Sequence, residues 1–301
     1  FFSKRAAEQD LPVVYVRMGL EGEDVPLIDP NAWEGEGTRS AQMLAVSRDG
    51  AILAYGVREG GQDEVEIRFM DVDTRTDLPD VLEKGRYFGG ALTPDKTIAY
   101  YSRHGPDGPR IYRHRMGSAQ SADQMIFGEG YGIGEILFGQ LSDDGGHLLI
   151  TVAHGSAGFQ ELYLMDLARG GVVTTVVEGI RSNFSAAFAG DRLLIQTDNQ
   201  APKGRVLVAD LARPGIADWR EIIPEGEHAM QGASPAGGHV WVSYLENVVG
   251  RARRFDLEGN PVRDLEMPAL GTLAGGGGEW DSDEAFYVFT SFHMPTTTYR
   301  Y

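Results

Sequence analysis

The sequence predicts an all-β fold, a seven-bladed β-propeller with blades of four antiparallel strands, and three observations predict it. The stretch Ala45 to Val57, AVSRDGAILAYGV, returns five more times in weakened form. The residues that open the β-prone run after its polar turn are Ile52, Ile98, Leu148, Leu193, Val240 and Phe286, spaced by 46, 50, 45, 47 and 46. A fixed period of this length marks a solenoid, a propeller or an array. Second, no window shows a convincing 3.6-residue apolar period, so helix should be scarce. Third, small residues cluster just ahead of the second strand of each unit: Ala45, Gly89 to Ala91, Gly139, Ala186 and Ala187, Gly232 and Ala233, and Gly275 to Gly278. In a radial array of four-stranded sheets the innermost strands crowd together, and small side chains fit that taper.

The elements follow in order. Phe1 to Arg5, Val13 to Arg17 and Val25 to Ile28 read as three short strands, and Asp29-Pro30-Asn31 ends that unit. From Gln42 each unit shows four candidates: one before the Ser-x-Asp-Gly-like turn, one after it, a third such as Ile67 to Val72, and a fourth such as Asp80 to Glu83. The third strands share a signature, Phe69-Met70-Asp71-Val72, Leu164-Met165-Asp166-Leu167, Val208-Ala209-Asp210-Leu211 and Arg254-Phe255-Asp256-Leu257, in which an acidic residue closes the strand and a turn follows. Five units, starting near residues 41, 87, 136, 184 and 230, carry all four strands. The opening unit lacks its first strand and the closing one stops within its third at Tyr301, so the first and last blades are incomplete. No strand is expected to be exchanged between them to close the ring.

Composition bounds the function. At 301 residues the chain exceeds an ordinary single core, but a repeat architecture escapes that limit, and residues 1–301 are read as one propeller domain. Hydrophobic content of 42% and charged content of 24% are those of a soluble globular protein, and no apolar run approaches the roughly 20 residues of a membrane span. The formal net charge of −17 opposes nucleic acid and anionic lipid as partners. Cysteine is absent, which excludes disulfides and thiolate chemistry. Neither an initiator Met nor a signal peptide precedes Phe1-Phe2, which reads as a piece of a longer chain, expected in the cytoplasm with the periplasm as the alternative.

A search for chemistry returns little. The strained turn that exposes a nucleophilic serine needs Gly-x-Ser-x-Gly, and no serine here has it; Ser156, with His154 before and Gly158 after, is the nearest miss. The seven histidines hold no His-x-His or His-Glu-x-x-His pair, so no metal site and no cofactor is expected. Asp281-Ser282-Asp283-Glu284 falls where the turn recurs and reads as turn chemistry rather than a calcium loop. Gly128 to Gly134 lacks the Gly-Lys-Ser/Thr ending and the following helix of a phosphate loop. Asn183-Phe184-Ser185 fits a glycosylation sequon without a secretory context to use it.

Leu78-Pro79-Asp80-Val81-Leu82-Glu83 after Phe69-Met70-Asp71-Val72-Asp73, then Leu141-Ser142-Asp143-Asp144-Gly145, then Phe289-Thr290-Ser291-Phe292 before Thr298-Tyr299-Arg300-Tyr301 resemble the non-catalytic propeller of prolyl oligopeptidases over essentially the whole chain. The resemblance implies a propeller that keeps folded proteins out of a serine peptidase cleaving short peptides after proline. Its partners would be a covalently linked α/β-hydrolase catalytic domain, absent from this chain, and short proline-containing peptides. With no catalytic triad, the chain alone is expected not to hydrolyse them. A stand-alone propeller scaffold for protein or peptide binding is the alternative. In the resembling family a few propeller side chains wall the substrate pocket, and the matching positions are Tyr87, with Phe88 the alternative if the alignment slips by one, Ile136 and Ser156. Strand alternation puts the loops between second and third strands on the same face as the connections between blades, and these positions fall there.

Overall fold

A computed structural model of the chain describes residues 1–34, 38–86, 91–156 and 158–301, which fall into two compact units. The first unit is Phe1–Val152 with Leu167–Gly171; the second is Ala153–Asp166 with Val172–Tyr301. Among the described residues helix is confined to three single 3-10 turns, at Pro30–Ala32, Gln120–Ala122 and Ile216–Asp218.

The turn that recurs in the sequence is the device that starts the strands. The Ser47 hydroxyl donates to Asp49 at 2.7 Å and accepts from the Ile52 amide at 2.9 Å, while Asp49 also accepts from the Ala51 amide. Thr93, Asp95 and Ile98 repeat the arrangement, as do Ser142, Asp144 and His147. The closing position has φ near +70° in Gly50 and Gly145, the left-handed region that glycine enters without steric cost. Lys96 adopts it as well, at φ 60°, and its ammonium meets the Asp49 carboxylate. That contact, with the turn's own hydrogen bonds, holds Asp49 far below the usual carboxylate range.

In the first unit, β1 (Phe2–Lys4), β2 (Val13–Val16) and β3 (Val25–Ile28) form a three-stranded sheet in that order. There follow β4 (Arg39–Val46), β5 (Ile52–Glu59), β6 (Val65–Asp71), β7 (Thr76–Arg86), β8 (Ile98–Gly105), β9 (Gly108–Arg115) and β10 (Gln124–Phe127), joined in one seven-stranded sheet of order β10-β9-β8-β7-β6-β5-β4. Next, β11 (Glu135–Leu141), β12 (His147–His154), β13 (Gln160–Asp166) and β14 (Val172–Val177) make a four-stranded sheet, through which the division into units runs. The second unit adds β15 (Phe184–Ala189), β16 (Arg192–Thr197), β17 (Arg205–Asp210) and β18 (Arg220–Ile223), then β19 (Ala229–Ala236), β20 (His239–Glu246), β21 (Val249–Phe255) and β22 (Pro261–Asp264), each set a four-stranded antiparallel meander. A three-stranded sheet of β23 (Thr272–Gly277), β24 (Phe286–Thr290) and β25 (Thr297–Arg300) completes it. Among the described residues β1 pairs with β2, and β25 with β24, each within its own sheet, so the expectation of no exchanged strand holds.

Among the described residues the repeats that begin near residues 41 and 87 are joined in one seven-stranded sheet. The first strand of the later repeat was expected from residue 87, and residues 87–90 lie outside the described residues. Of that strand, Leu92 bridges Ala99 and the Ala91 carbonyl accepts from the Tyr100 amide at 2.8 Å. The eleven-residue β7 runs further than its counterparts, slips register against β6 twice, and turns at Lys84 with φ 55°. Its last two residues then pair with β8, Gly85 with Arg103 and Arg86 with Ser102, and this joins the two repeats in one sheet.

Burial on both faces explains why the second and third strands are nearly continuous apolar runs. In β5, Ile52 and Ala54 join Ile67, Phe69, Leu82 and Tyr101 in one cluster, while the alternate residues Leu53, Tyr55 and Val57 join Val14, Ile28 and Met70 in another. In the second unit Leu194, Val206 and Val208 meet Val240, Val242 and Phe255. Each fully buried side chain of this kind contributes about 1.5–3 kcal/mol.

Candidate functional site

Tyr87 and Phe88 lie outside the described residues, and β7 ends just ahead of them at Arg86. Arg86 ends β7 beneath a pair of contacts: its guanidinium forms an ion pair with Asp63 in the β5–β6 loop and donates to Nδ1 of His104 at 2.8 Å at the end of β8. A guanidinium cannot accept, so Nδ1 carries the lone pair and the ring is neutral. Burial, and then the Arg86 charge, push the His104 pKa below its ordinary value, in keeping with that state.

Ile136 is the second residue of β11, half-buried, in the first unit. The glycine-rich stretch before it leads directly into a strand. Arg110 donates to the Tyr131 carbonyl at 2.8 Å, and the Gly132 amide to Glu135 at 2.8 Å, so side chains brace this connection.

Ser156 is exposed in the β12–β13 loop and belongs to the second unit, so the structure does not join it with Ile136 in one described site. The loop is braced by aromatic stacking. The His154 ring lies on Phe159 with centroids 4.2 Å apart, and the Arg181 guanidinium sits 5.5 Å from the Phe159 centroid. Behind them Glu161, buried, accepts from the Tyr163 hydroxyl at 3.1 Å and from the Gly179 amide at 3.3 Å, with His154 Nε2 3.4 Å away.

Two histidine constellations bear on catalysis, and neither is suited to it. His114 is fully buried, with Nδ1 2.7 Å from Asp123 and Nε2 3.1 Å from Asp80. Asp123 also accepts from the Tyr101 hydroxyl at 2.8 Å, and Gln120 donates to that hydroxyl and to the Glu83 carbonyl. Burial pushes the Tyr101 hydroxyl well above its ordinary pKa, so it remains a donor. With both imidazole nitrogens facing carboxylates and no path to solvent, this cluster ties strands together and offers no lone pair to a metal. The second is Ser291, whose Oγ lies 3.3 Å from His293 Nδ1 on an exposed loop. That Oγ also accepts from the Met294 amide, and no carboxylate contact to His293 is found among the described residues, so the orienting acid of a triad is missing. The His114 cluster escaped the sequence reading because its members are 34 and 9 residues apart with no local motif.

Comparison with known proteins gives a consistent picture. The chain matches the family described as "Prolyl oligopeptidase, N-terminal beta-propeller domain" over residues 1–301. It is 28% identical over 312 residues to a prolyl endopeptidase of Elizabethkingia miricola, covering 100% of this chain and 44% of that protein. It is 25% identical over 289 residues to dipeptidyl aminopeptidase BI of Pseudoxanthomonas mexicana, covering 93% of this chain and 39% of that one. A structure from a study of two prolyl endopeptidases and their inter-domain dynamics superposes with a TM-score of 0.92 at 30% identity, over 99% of this chain and 46% of its own. Prolyl oligopeptidase B of Galerina marginata gives 0.82 at 20% identity, over 97% and 46%. The chain therefore spans less than half the length of these relatives.

Proposed function

The chain belongs to the prolyl oligopeptidase family as its N-terminal β-propeller domain, and we propose that it acts as the gating and substrate-wall domain of a serine peptidase that cleaves short peptides after proline. The observation that carries this reading is the match over the entire chain against under half of each prolyl endopeptidase. The remaining length of such relatives is where a linked α/β-hydrolase domain would supply the nucleophile, base and acid that acyl transfer requires together. On this reading the strand groups correspond to seven blades, the seven-stranded sheet being two of them fused at β7 and β8. Tyr87 or Phe88, Ile136 and Ser156 then line the substrate pocket, apolar groups suiting the apolar parts of a peptide. The pinning of Arg86 by Asp63 and His104 supports this, because it fixes the backbone immediately ahead of Tyr87.

The test is an assay of the full-length protein against proline-containing reporter peptides and against the same sequence embedded in a folded domain. Cleavage of the short peptides alone is expected, with no turnover by the 301-residue chain. Equal cleavage of the folded substrate would remove the gating role, and failure to cleave after proline would remove the substrate assignment.

A further inference from the structure

We propose that Arg254 of β21 and Arg263 of β22 form a binding site for a phosphate group, free or as a monoester, beside the rings of Trp241 and Tyr301. Such a site stands apart from peptide cleavage and does not depend on it.

Strand register sets the two arginines side by side. Trp241 of β20 pairs with Arg254, and Arg254 pairs in turn with Arg263, so the three project from one face of the sheet. Tyr301 lies against that face. Its amide donates to the Ala285 carbonyl at 2.8 Å and its carbonyl accepts from the Ala285 amide at 3.1 Å, which extends the pairing of β25 with β24 and fixes its backbone. The Tyr301 ring meets Trp241 edge-on, with centroids 4.9 Å apart. The Arg254 guanidinium is 5.4 Å from the centre of the tyrosine ring and 5.9 Å from that of Trp241. The Arg263 guanidinium is 6.0 Å from the same tyrosine centre, with Nη1 3.5 Å from the hydroxyl.

What this face lacks is a carboxylate. Like charges directly opposite each other on neighbouring strands are destabilising. On the other face of the same hairpin the rule is obeyed, because Arg253 meets its cross-strand partner Asp264 in an ion pair. Among the described residues neither Arg254 nor Arg263 has an ion pair, and Arg254 Nε is shielded from solvent without a hydrogen-bond partner. Acidic residues outnumber Lys and Arg in this chain by 44 to 27, so two adjacent guanidiniums left without one are an exception that the fold does not explain. Charge on an outer strand discourages edge pairing, but Arg253 and Asp264 already supply it there.

The chemistry of the pair selects the anion. Each guanidinium presents its N–H donors in a planar fork that fits phosphate oxygens two at a time. Two such cations are neutralised together by a doubly charged phosphate, whereas acetate or chloride offsets only one. Ring contacts engage the guanidinium faces and leave in-plane donors for an anion. Trp241 Nε1 is committed to the Ala236 carbonyl at 3.0 Å, so the arginines are the donors. Strand direction places the site at the end of the sheet with the β19–β20 turn, opposite the end that carries the second-to-third loops.

The experiment titrates the full-length protein by calorimetry, at neutral pH and low salt, with inorganic phosphate, phenyl phosphate, acetate and chloride. Wild type should bind a phosphate in preference to acetate and chloride. Arg263→Gln and Arg254→Gln should each weaken that binding by about tenfold, the loss of one charge-assisted contact, and Arg263→Lys by less. Arg263 is exposed, so its variants should keep the wild-type Tm and the wild-type kcat/KM on proline-containing peptides, and they carry the test if Arg254→Gln, packed against two rings, does not fold. Tighter binding of phenyl phosphate would assign a monoester as the ligand, and tighter binding of inorganic phosphate the free ion. Absence of phosphate binding by wild type, acetate or chloride bound as tightly as phosphate, or unchanged binding in Arg263→Gln would overturn the proposal. A wild-type protein that fails to cleave after proline would sink the peptidase reading and leave this titration intact.

Discussion

Replacing Asp123 with Ala should destabilise the first unit by about 2–6 kcal/mol, the cost of leaving two buried polar groups without their partner at about 1–3 kcal/mol each. Asp123 accepts from His114 Nδ1 at 2.7 Å and from the Tyr101 hydroxyl at 2.8 Å, and its side chain is 2% exposed. Truncation orphans both groups where water cannot reach them, at about 1–3 kcal/mol each. The neighbours cannot compensate: His114 Nε2 is already occupied by Asp80, and the Gln120 amide is committed to the Tyr101 hydroxyl and the Glu83 carbonyl. Asp123→Asn keeps one acceptor and should cost less, about 1–3 kcal/mol. Urea denaturation with hydrogen exchange resolved on β8 and β9 amides measures the effect in the unit that holds the cluster. A loss below about 1 kcal/mol for Asp123→Ala would refute the claim that the cluster is a buried, fully engaged tie.

Two further outcomes follow from packing and titration. Gly271→Ala would place a methyl against Phe289 and Ser291 and should cost about 1–3 kcal/mol by overpacking, read as a lower denaturation midpoint of the 301-residue chain; an unchanged midpoint would deny the close approach. His104 binds its proton less readily folded than unfolded, so the unfolded chain takes up more protons and stability falls as pH drops through about 6.5 toward the lower folded value. His104→Gln should flatten that part of the profile and leave the separate loss below about pH 4, where carboxylates such as Asp144 and Asp264, depressed by their hydrogen bonds, become protonated. An identical profile in the variant would contradict the assignment.

The repeat was legible because turn chemistry and alternation are local. The aligned residues Ile52, Ile98 and Phe286 are the first of their strands, and Leu148, Leu193 and Val240 the second. The acidic closers Asp71, Asp166 and Asp210 end β6, β13 and β17, and Asp256 follows β21 directly. What stayed hidden depends on distant partners. The His114 tie draws Asp80 from β7 and Asp123 from the turn just ahead of β10, and the joining of β7 to β8 depends on how far β7 runs before bending, which no periodicity encodes. Of the residues proposed to wall the pocket, the structure describes the surroundings of two, Ile136 at the opening of β11 and Ser156 on its braced loop. Arg254 and Arg263 carry no sequence pattern at all, and only the register of β21 against β22 sets them opposite each other.

The central claim is that this propeller walls a peptidase pocket, and kcat/KM of the full-length protein on peptides extended beyond the residue next to proline tests it most directly. With Tyr87, Phe88 and Ile136 each replaced by Ala and folding intact, a lost apolar contact of this size predicts a fall of about tenfold or more in at least one variant. Values unchanged in all three would contradict the account.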